Sequence, residues 1–269
     1  MFNYDQIMKR RSFVKASLLT GAAATLIPAT NMASPAADEA EFYELRVYTL
    51  KNDIQQKLVE DFLKNAAIPA FNRLGSKNIG VFTELKPEGQ TKIYVFVPYK
   101  SIIHFTKVNS DLDKDASYQK DGSSYLNAHA TDPAYERIES SLLKSFAHMP
   151  KMALPGSQPR IFELRQYQSA TDSAGKKKIE MFNNEGEIDI FKRLGFKPVF
   201  FGETLIGPLR PNLTYMVTFD DMAAKDAHWK SFVADAEWKK ISVVPGYADA
   251  LLVSKITSTM IIPTSYSQI

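Results

Sequence analysis

A seven-residue motif occurs twice in this chain, and its recurrence limits the fold more than any other feature. Phe42-Tyr43-Glu44-Leu45-Arg46-Val47-Tyr48 returns as Ile161-Phe162-Glu163-Leu164-Arg165-Gln166-Tyr167, an offset of 163 − 44 = 119. Phe71-Asn72-Arg73-Leu74-Gly75 returns as Phe191-Lys192-Arg193-Leu194-Gly195, an offset of 191 − 71 = 120. Further on, His104-Phe105 pairs with His228-Trp229, Asp132–Ile138 with Asp235–Ile241, and Leu142–Ser145 with Leu251–Ser254. Matches in one order, with offsets that change only where loops would lie, mark a duplicated unit.

Each copy predicts the same run of elements. Residues 41–50 and 160–168 alternate with period two and are rich in aromatic and branched side chains, which describes strands. A helical stretch follows, with apolar positions at Ile54, Leu58 and Phe62, and at Ile179, Phe182 and Phe191. It closes at Leu-Gly, where glycine supplies the left-handed residue, and Pro69 is expected to end or kink the first helix near Ile68. Strands at about 78–86 and 91–99, then 197–205 and 212–219, flank Gly/Pro turns. A second helical region and a final strand (140–148; 249–258) complete each unit, and the first copy carries a polar insert at about 109–130. The copies span 41–149 and 160–260, joined by a Pro/Gly linker at 150–159. Strand, helix, two strands, helix, strand is the ferredoxin-like order. The predicted fold is therefore α+β, with two tandem ferredoxin-like units packed sheet to sheet, each covering the face that the other leaves bare.

The N-terminus reads differently. Lys9-Arg10-Arg11-Ser12-Phe13-Val14-Lys15 precedes a weakly apolar run, Ala16 to Ile27, and then Pro28-Ala29-Thr30. A charged region, a short apolar region and a small-residue tail describe a signal peptide over about residues 1–33. The paired arginines resemble the twin-arginine export signal, so the expected location is periplasmic or otherwise extracytoplasmic. Lys9, Arg10, Arg11 and Lys15 against Asp5 (4 − 1 = 3) account for the whole formal charge of +3. The remaining chain is near neutral, without the basic footprint of a nucleic-acid binder. No later apolar run approaches the eighteen or so residues of a membrane span. Without cysteine, thiol nucleophiles and zinc–thiolate sites are excluded.

Chemistry concentrates in the repeated strand. Strand alternation turns Tyr43, Leu45 and Val47 one way and Glu44, Arg46 and Tyr48 the other. With the apolar set against the helices, the polar set faces the other copy, and Glu163, Arg165 and Tyr167 repeat the pattern. Polar groups in such a space are costly unless paired. They form either a Glu–Arg bridge that fixes how the units dock, or a ligand cavity with Arg as anion anchor and Glu or Tyr as proton carrier. His104 and His228 are either structural helix residues or members of a pocket. None of the four histidines has metal-ligand spacing, so no metal site is expected. Trp229 and Trp238 are expected to anchor the helices on the sheet, Lys176–Lys178 to be a solvated helix start, and Asn183–Glu187 an exposed turn or a kink at the cavity rim.

These motifs resemble one family. Glu-Leu-Arg-x-Tyr, Arg-Leu-Gly closing the first helix, and Asp-x-x-Trp at Asp235–Trp238 (with Tyr135 in the first copy) are similar to the NIPSNAP family over about residues 41–258. The resemblance implies a dimeric α+β barrel, here within one chain. Its wider superfamily holds cofactor-free monooxygenases and haem enzymes. The expected function is an exported protein that binds a small molecule or partner through the barrel, with self-association left open and no cofactor predicted. The alternatives are monooxygenase-like or haem-dependent chemistry in the barrel interior.

Overall fold

The computed structural model describes residues 40–156 and 160–269, so the expected export segment and the end of the linker lie outside the described residues. In the first copy the order is β1 (Phe42–Leu50), α1 (Asp53–Phe62), a π-helical turn (Leu63–Ala67), α2 (Ile68–Arg73), β2 (Gly80–Glu84), β3 (Thr91–Tyr99), α3 (Ile102–Leu112), α4 (Ala116–Asp121), α5 (Ser123–Leu126) and β4 (Arg137–Ser145). In the second it is β5 (Ile161–Gln168), α6 (Asp172–Asn183), α7 (Glu187–Arg193), β6 (Lys197–Ile206), β7 (Asn212–Phe219), α8 (Met222–Ala234), α9 (Ala236–Ser242), α10 (Asp249–Leu252) and β8 (Lys255–Pro263).

The strands close into an antiparallel barrel in the order β1-β3-β2-β8-β5-β7-β6-β4. Each copy supplies four strands. Closure comes from two cross-copy seams, β2 with β8 and β4 with β6, which leave no free sheet edge. The copies thus share one sheet wall as well as a face-to-face interior. That interior is an apolar plug: Tyr43, Phe96 and Phe200 meet with ring centroids 4.5–5.2 Å apart, and Phe82 lies edge-on to Phe162 at 5.0 Å.

This reverses the expected faces of the repeated strand. Tyr43, Leu45 and Val47 point into the lumen, while Tyr48 and Leu50 belong to the core under the first copy's helices. Strand alternation separates the two faces correctly but cannot say which is inside once both are buried. The lumen wall is made only of sheet, so it suits apolar groups. The helices bring side-chain partners, so the polar set packs under them.

Helix-capping residues correct the repeat register. Ser101 and Asp221 cap α3 and α8 (221 − 101 = 120), and Asp115 and Asp235 cap α4 and α9 (235 − 115 = 120). The counterpart of Asp235–Trp238 is therefore Asp115-Ala116-Ser117-Tyr118, not Asp132–Tyr135. Arg73 and Arg193 show the same pairing, reaching Asp115 at 2.7 Å and Asp235 at 3.0 Å. His104 lies one helical turn short of the position that corresponds to His228 (104 + 120 = 224). Leu251-Leu252 sit in α10 rather than in a final strand, and the true counterpart of β4 starts at Lys255.

Two helix details also differ. The helix does not stop at Pro69. The preceding π-helical turn alters the bonding pattern before the ring that cannot donate, and α2 continues to Arg73. The buried stripe of α1 is Gln55, Val59 and Phe62, with Ile54 exposed. Gln55 is satisfied there, accepting from Lys51 N and donating to Pro133 O, both at 2.8 Å.

Candidate functional site

The two motif triads lie on opposite sides of the barrel wall from the lumen, each beneath the helices of its own copy. In the first, Arg46 Nε and Nη2 donate to the two oxygens of Glu44 at 2.6 and 2.8 Å, and Tyr99 OH adds a third bond at 3.1 Å. Burial pushes the Glu44 carboxyl up, but Arg46 and these bonds outweigh it and hold it below its usual range. Tyr48 OH accepts from Tyr125 OH at 3.3 Å. In the second triad, Glu163 accepts from Arg165 Nη1 (2.8 Å), Trp229 Nε1 (2.7 Å) and Ser258 Oγ (2.6 Å). Arg165 Nη2 donates to Tyr167 OH, which lies 3.0 Å from Tyr215 OH. The guanidinium also stacks over Trp229, 4.3 Å from the centroid. Trp229 therefore anchors α8 through a carboxylate as well as by packing.

Neither triad faces the other copy, so they cannot jointly line an inter-copy cavity. Their acceptors are spent on internal bonds, and burial raises the Tyr167 and Tyr215 hydroxyls above the ordinary tyrosine value.

The histidines serve the helix ends. His104 Nε2 meets Leu74 O at 2.9 Å while Nδ1 accepts from Lys100 N, and His228 Nδ1 meets Leu194 O at 2.6 Å. Each ring covers the glycine of its Leu-Gly turn, so closely that a Cβ on Gly195 would sit 2.7 Å from His228 Cε1. Both ring nitrogens of His104 are engaged in these bonds, whereas His228 uses Nδ1. Among the described residues, no group of three His, Asp or Glu side chains is placed to hold a metal, and no helix is long and apolar enough to cross a membrane.

Two features went unread in the sequence. Lys178, expected on a solvated helix start, is only 1% exposed and pairs with Glu187 at 3.2 Å and Asp249 at 3.1 Å. Glu187, expected in an exposed turn, is buried with it. The helical spacing of Gly175, Lys178 and Phe182 was the available signal, since all three lie on the buried face of α6. The second feature is the open end of the lumen. Beyond the aromatic plug, a cavity of about 270 Å³ is lined by Thr49, Ser141, Gln166, Thr214, Thr257 and Thr259, over a floor of Leu45, Val47 and Leu164. At its rim Tyr94 OH donates to Glu84 at 2.7 Å, and Lys92 stands 3.7 Å from the same carboxylate.

A closed eight-stranded antiparallel barrel made of two ferredoxin-like halves, with helices outside, defines the class: a dimeric α+β barrel fused into one chain. Solved structures share this architecture along most of their length. A protein described as a putative monooxygenase from Lactobacillus acidophilus is 13% identical, with a TM-score of 0.56 over 83% of this chain and 94% of that one. A putative monooxygenase from Fusobacterium nucleatum is 10% identical, with a TM-score of 0.54 over 83% and 92%. At such identities the likeness is one of fold. The NIPSNAP family profile matches residues 43–150 and again 155–268. This chain belongs to the NIPSNAP family, with two NIPSNAP domains in tandem. No curated protein matches its sequence.

Proposed function

We propose that this is an exported binding protein that holds a small polar molecule in the open end of its barrel. The observation that carries this reading is the division of the lumen. One part is filled by stacked aromatic rings, whereas the other is an open cavity whose hydroxyl and amide groups converge above an apolar floor. A concave site of this kind suits a ligand oriented by hydrogen bonds, and Glu84 with Lys92 at the rim offers either sign of charge. The twin-arginine-like segment supports export. Monooxygenase-like chemistry is the second reading, favoured by the descriptions of the two barrels of the same fold.

The test is native mass spectrometry on wild-type protein and on Thr259→Trp, which fills the cavity, followed by thermal-shift screening of hydroxylated small molecules. A ligand held by wild type and lost in a folded Thr259→Trp variant supports the proposal. Equal retention, or no binding from the screen, refutes it. Ligand consumption in air would move the assignment to the oxygenase reading. Export is tested separately, since Arg10→Lys/Arg11→Lys should leave precursor in the cytoplasm.

A further inference from the structure

The buried cation of the second copy is not a requirement of the repeated unit, since the first copy does without one. Counting from the helix caps Asn52 and Thr171 (171 − 52 = 119), the first-copy residue at the Lys178 position is Val59 (178 − 119 = 59), and it too is fully buried. A valine serves there at no electrostatic cost, whereas a lysine must be compensated. The compensation is uneven. Glu187 is fixed on α7 and buried, but Asp249 comes from α10 and its side chain is 46% exposed.

The segment that carries Asp249 is lightly attached. Among the described residues, the backbone hydrogen bonds donated from Val244 to Val253 end on residues 241–249, and the next to reach the rest of the protein is Ser254 N to Gln168 O. Its anchors are side chains: Tyr247, whose hydroxyl reaches Glu185 at 3.0 Å, buried Leu252, and Asp249 itself. Val243, Val244 and Leu251 face solvent. A segment held this way opens at low cost compared with a strand.

Behind it, the Lys178 ammonium faces three rings, Tyr167, Phe182 and Trp238, at 5.2–5.7 Å from their centroids. The Tyr167 ring also carries Arg165 at 5.4 Å. Arg165 Nε is buried with no hydrogen-bond partner among the described residues, a donor whose desolvation nothing repays. An ammonium set against an aromatic wall matches a carboxylate on an apolar body.

We propose that Lys178 and the rings around it become a binding site for a small organic carboxylate with an aromatic or apolar body when the 243–254 segment opens, and that Asp249 of the chain itself occupies the carboxylate position in this structure. When the 243–254 segment swings out, Glu187 remains as the lysine's partner and the ligand replaces Asp249. The site lies in the sheet–helix layer, separate from the lumen cavity, so either assignment can fail alone.

The experiment is calorimetric titration of wild type, Asp249→Ala and Asp249→Ala/Lys178→Met with benzoate, and with benzamide as the neutral control. Removing the internal competitor should tighten benzoate binding by about tenfold or more if the closed segment is ~90% populated. Benzamide should not bind, and the double variant should lose benzoate. Equal affinity in wild type and Asp249→Ala, or binding that survives in the double variant, overturns the proposal. Should Lys178→Met fail to fold, amide exchange of wild type decides: benzoate should speed exchange across 244–253, and unchanged exchange at saturating benzoate refutes displacement.

Discussion

Glu163→Gln tests the reading of the second triad most directly, because it keeps the side chain's shape and removes its charge. The carboxylate is fully buried and accepts three bonds, from Arg165, Trp229 and Ser258 at 2.6–2.8 Å. A glutamine oxygen can serve two of these donors at most, and its amide would point hydrogens at the third. Removing one partner of a buried ion pair costs about 3–5 kcal/mol. Here the low end applies, because the Arg165 side chain keeps 16% exposure and its bond to Tyr167. At about 3 kcal/mol, a chain of this size should lose roughly 6–12 °C in Tm. Urea and thermal unfolding followed by circular dichroism give the stability, and tryptophan fluorescence reports the freed Trp229 indole. Glu44→Gln is the internal comparison. One of its donors is the longer-reaching Tyr99 hydroxyl, which can turn to accept instead, so the loss should be nearer ~2 kcal/mol. A loss below about 1 kcal/mol for Glu163→Gln would refute the claim that this carboxylate locks α8 to the sheet.

Two further outcomes follow from the same layer. Burial, opposed by Lys178, lifts Glu187 from 4.5 to about 7. The folded state then keeps a proton that the unfolded chain has already lost, so stability should fall as pH rises from about 4.5 to about 7, by at most ~3 kcal/mol. Urea titrations across that range should show a shallower slope for Glu187→Gln, and an unchanged slope would count against the shift. The second concerns glycines with similar backbone but different surroundings. Gly186 and Gly195 have φ of 85° and 86°, yet a Cβ meets nothing at Gly186 and the His228 ring at Gly195. Gly186→Ala should cost about 1–2 kcal/mol from the left-handed backbone alone, and Gly195→Ala clearly more. Equal losses would show that the histidine is not packed as described.

Much of the architecture was legible because it depends on local pattern. The strands at 91–99 and 212–219 fall where the Gly/Pro turns before them placed them. The β2 strand begins late, at Gly80, after Asn78 takes a positive φ of 58°. Short identities misled where they lacked structural context. Leu-Leu-x-Ser occurs once within a strand and once across the end of a helix. The aspartates that truly correspond, Asp115 and Asp235, show themselves through the arginines they pair with. Lys178 could not be placed by composition, because three successive lysines read as solvent-facing until the helix is rotated against its neighbours.

The duplication, the ferredoxin-like order and the Glu–Arg–Tyr pattern were determined by the sequence alone, because repetition and periodicity are properties of the chain. Only the tertiary structure decided which face of the repeated strand is the lumen. Alternation fixes two faces without naming them, and closing the sheet into a barrel buries both. What then separates them is which neighbours can satisfy a charge. The helices bring Trp229 and Tyr125 to the polar set, while the lumen wall meets Tyr43 and Leu45 with further rings and aliphatic chains. Those partners come from distant parts of the chain, and only folding brings them together.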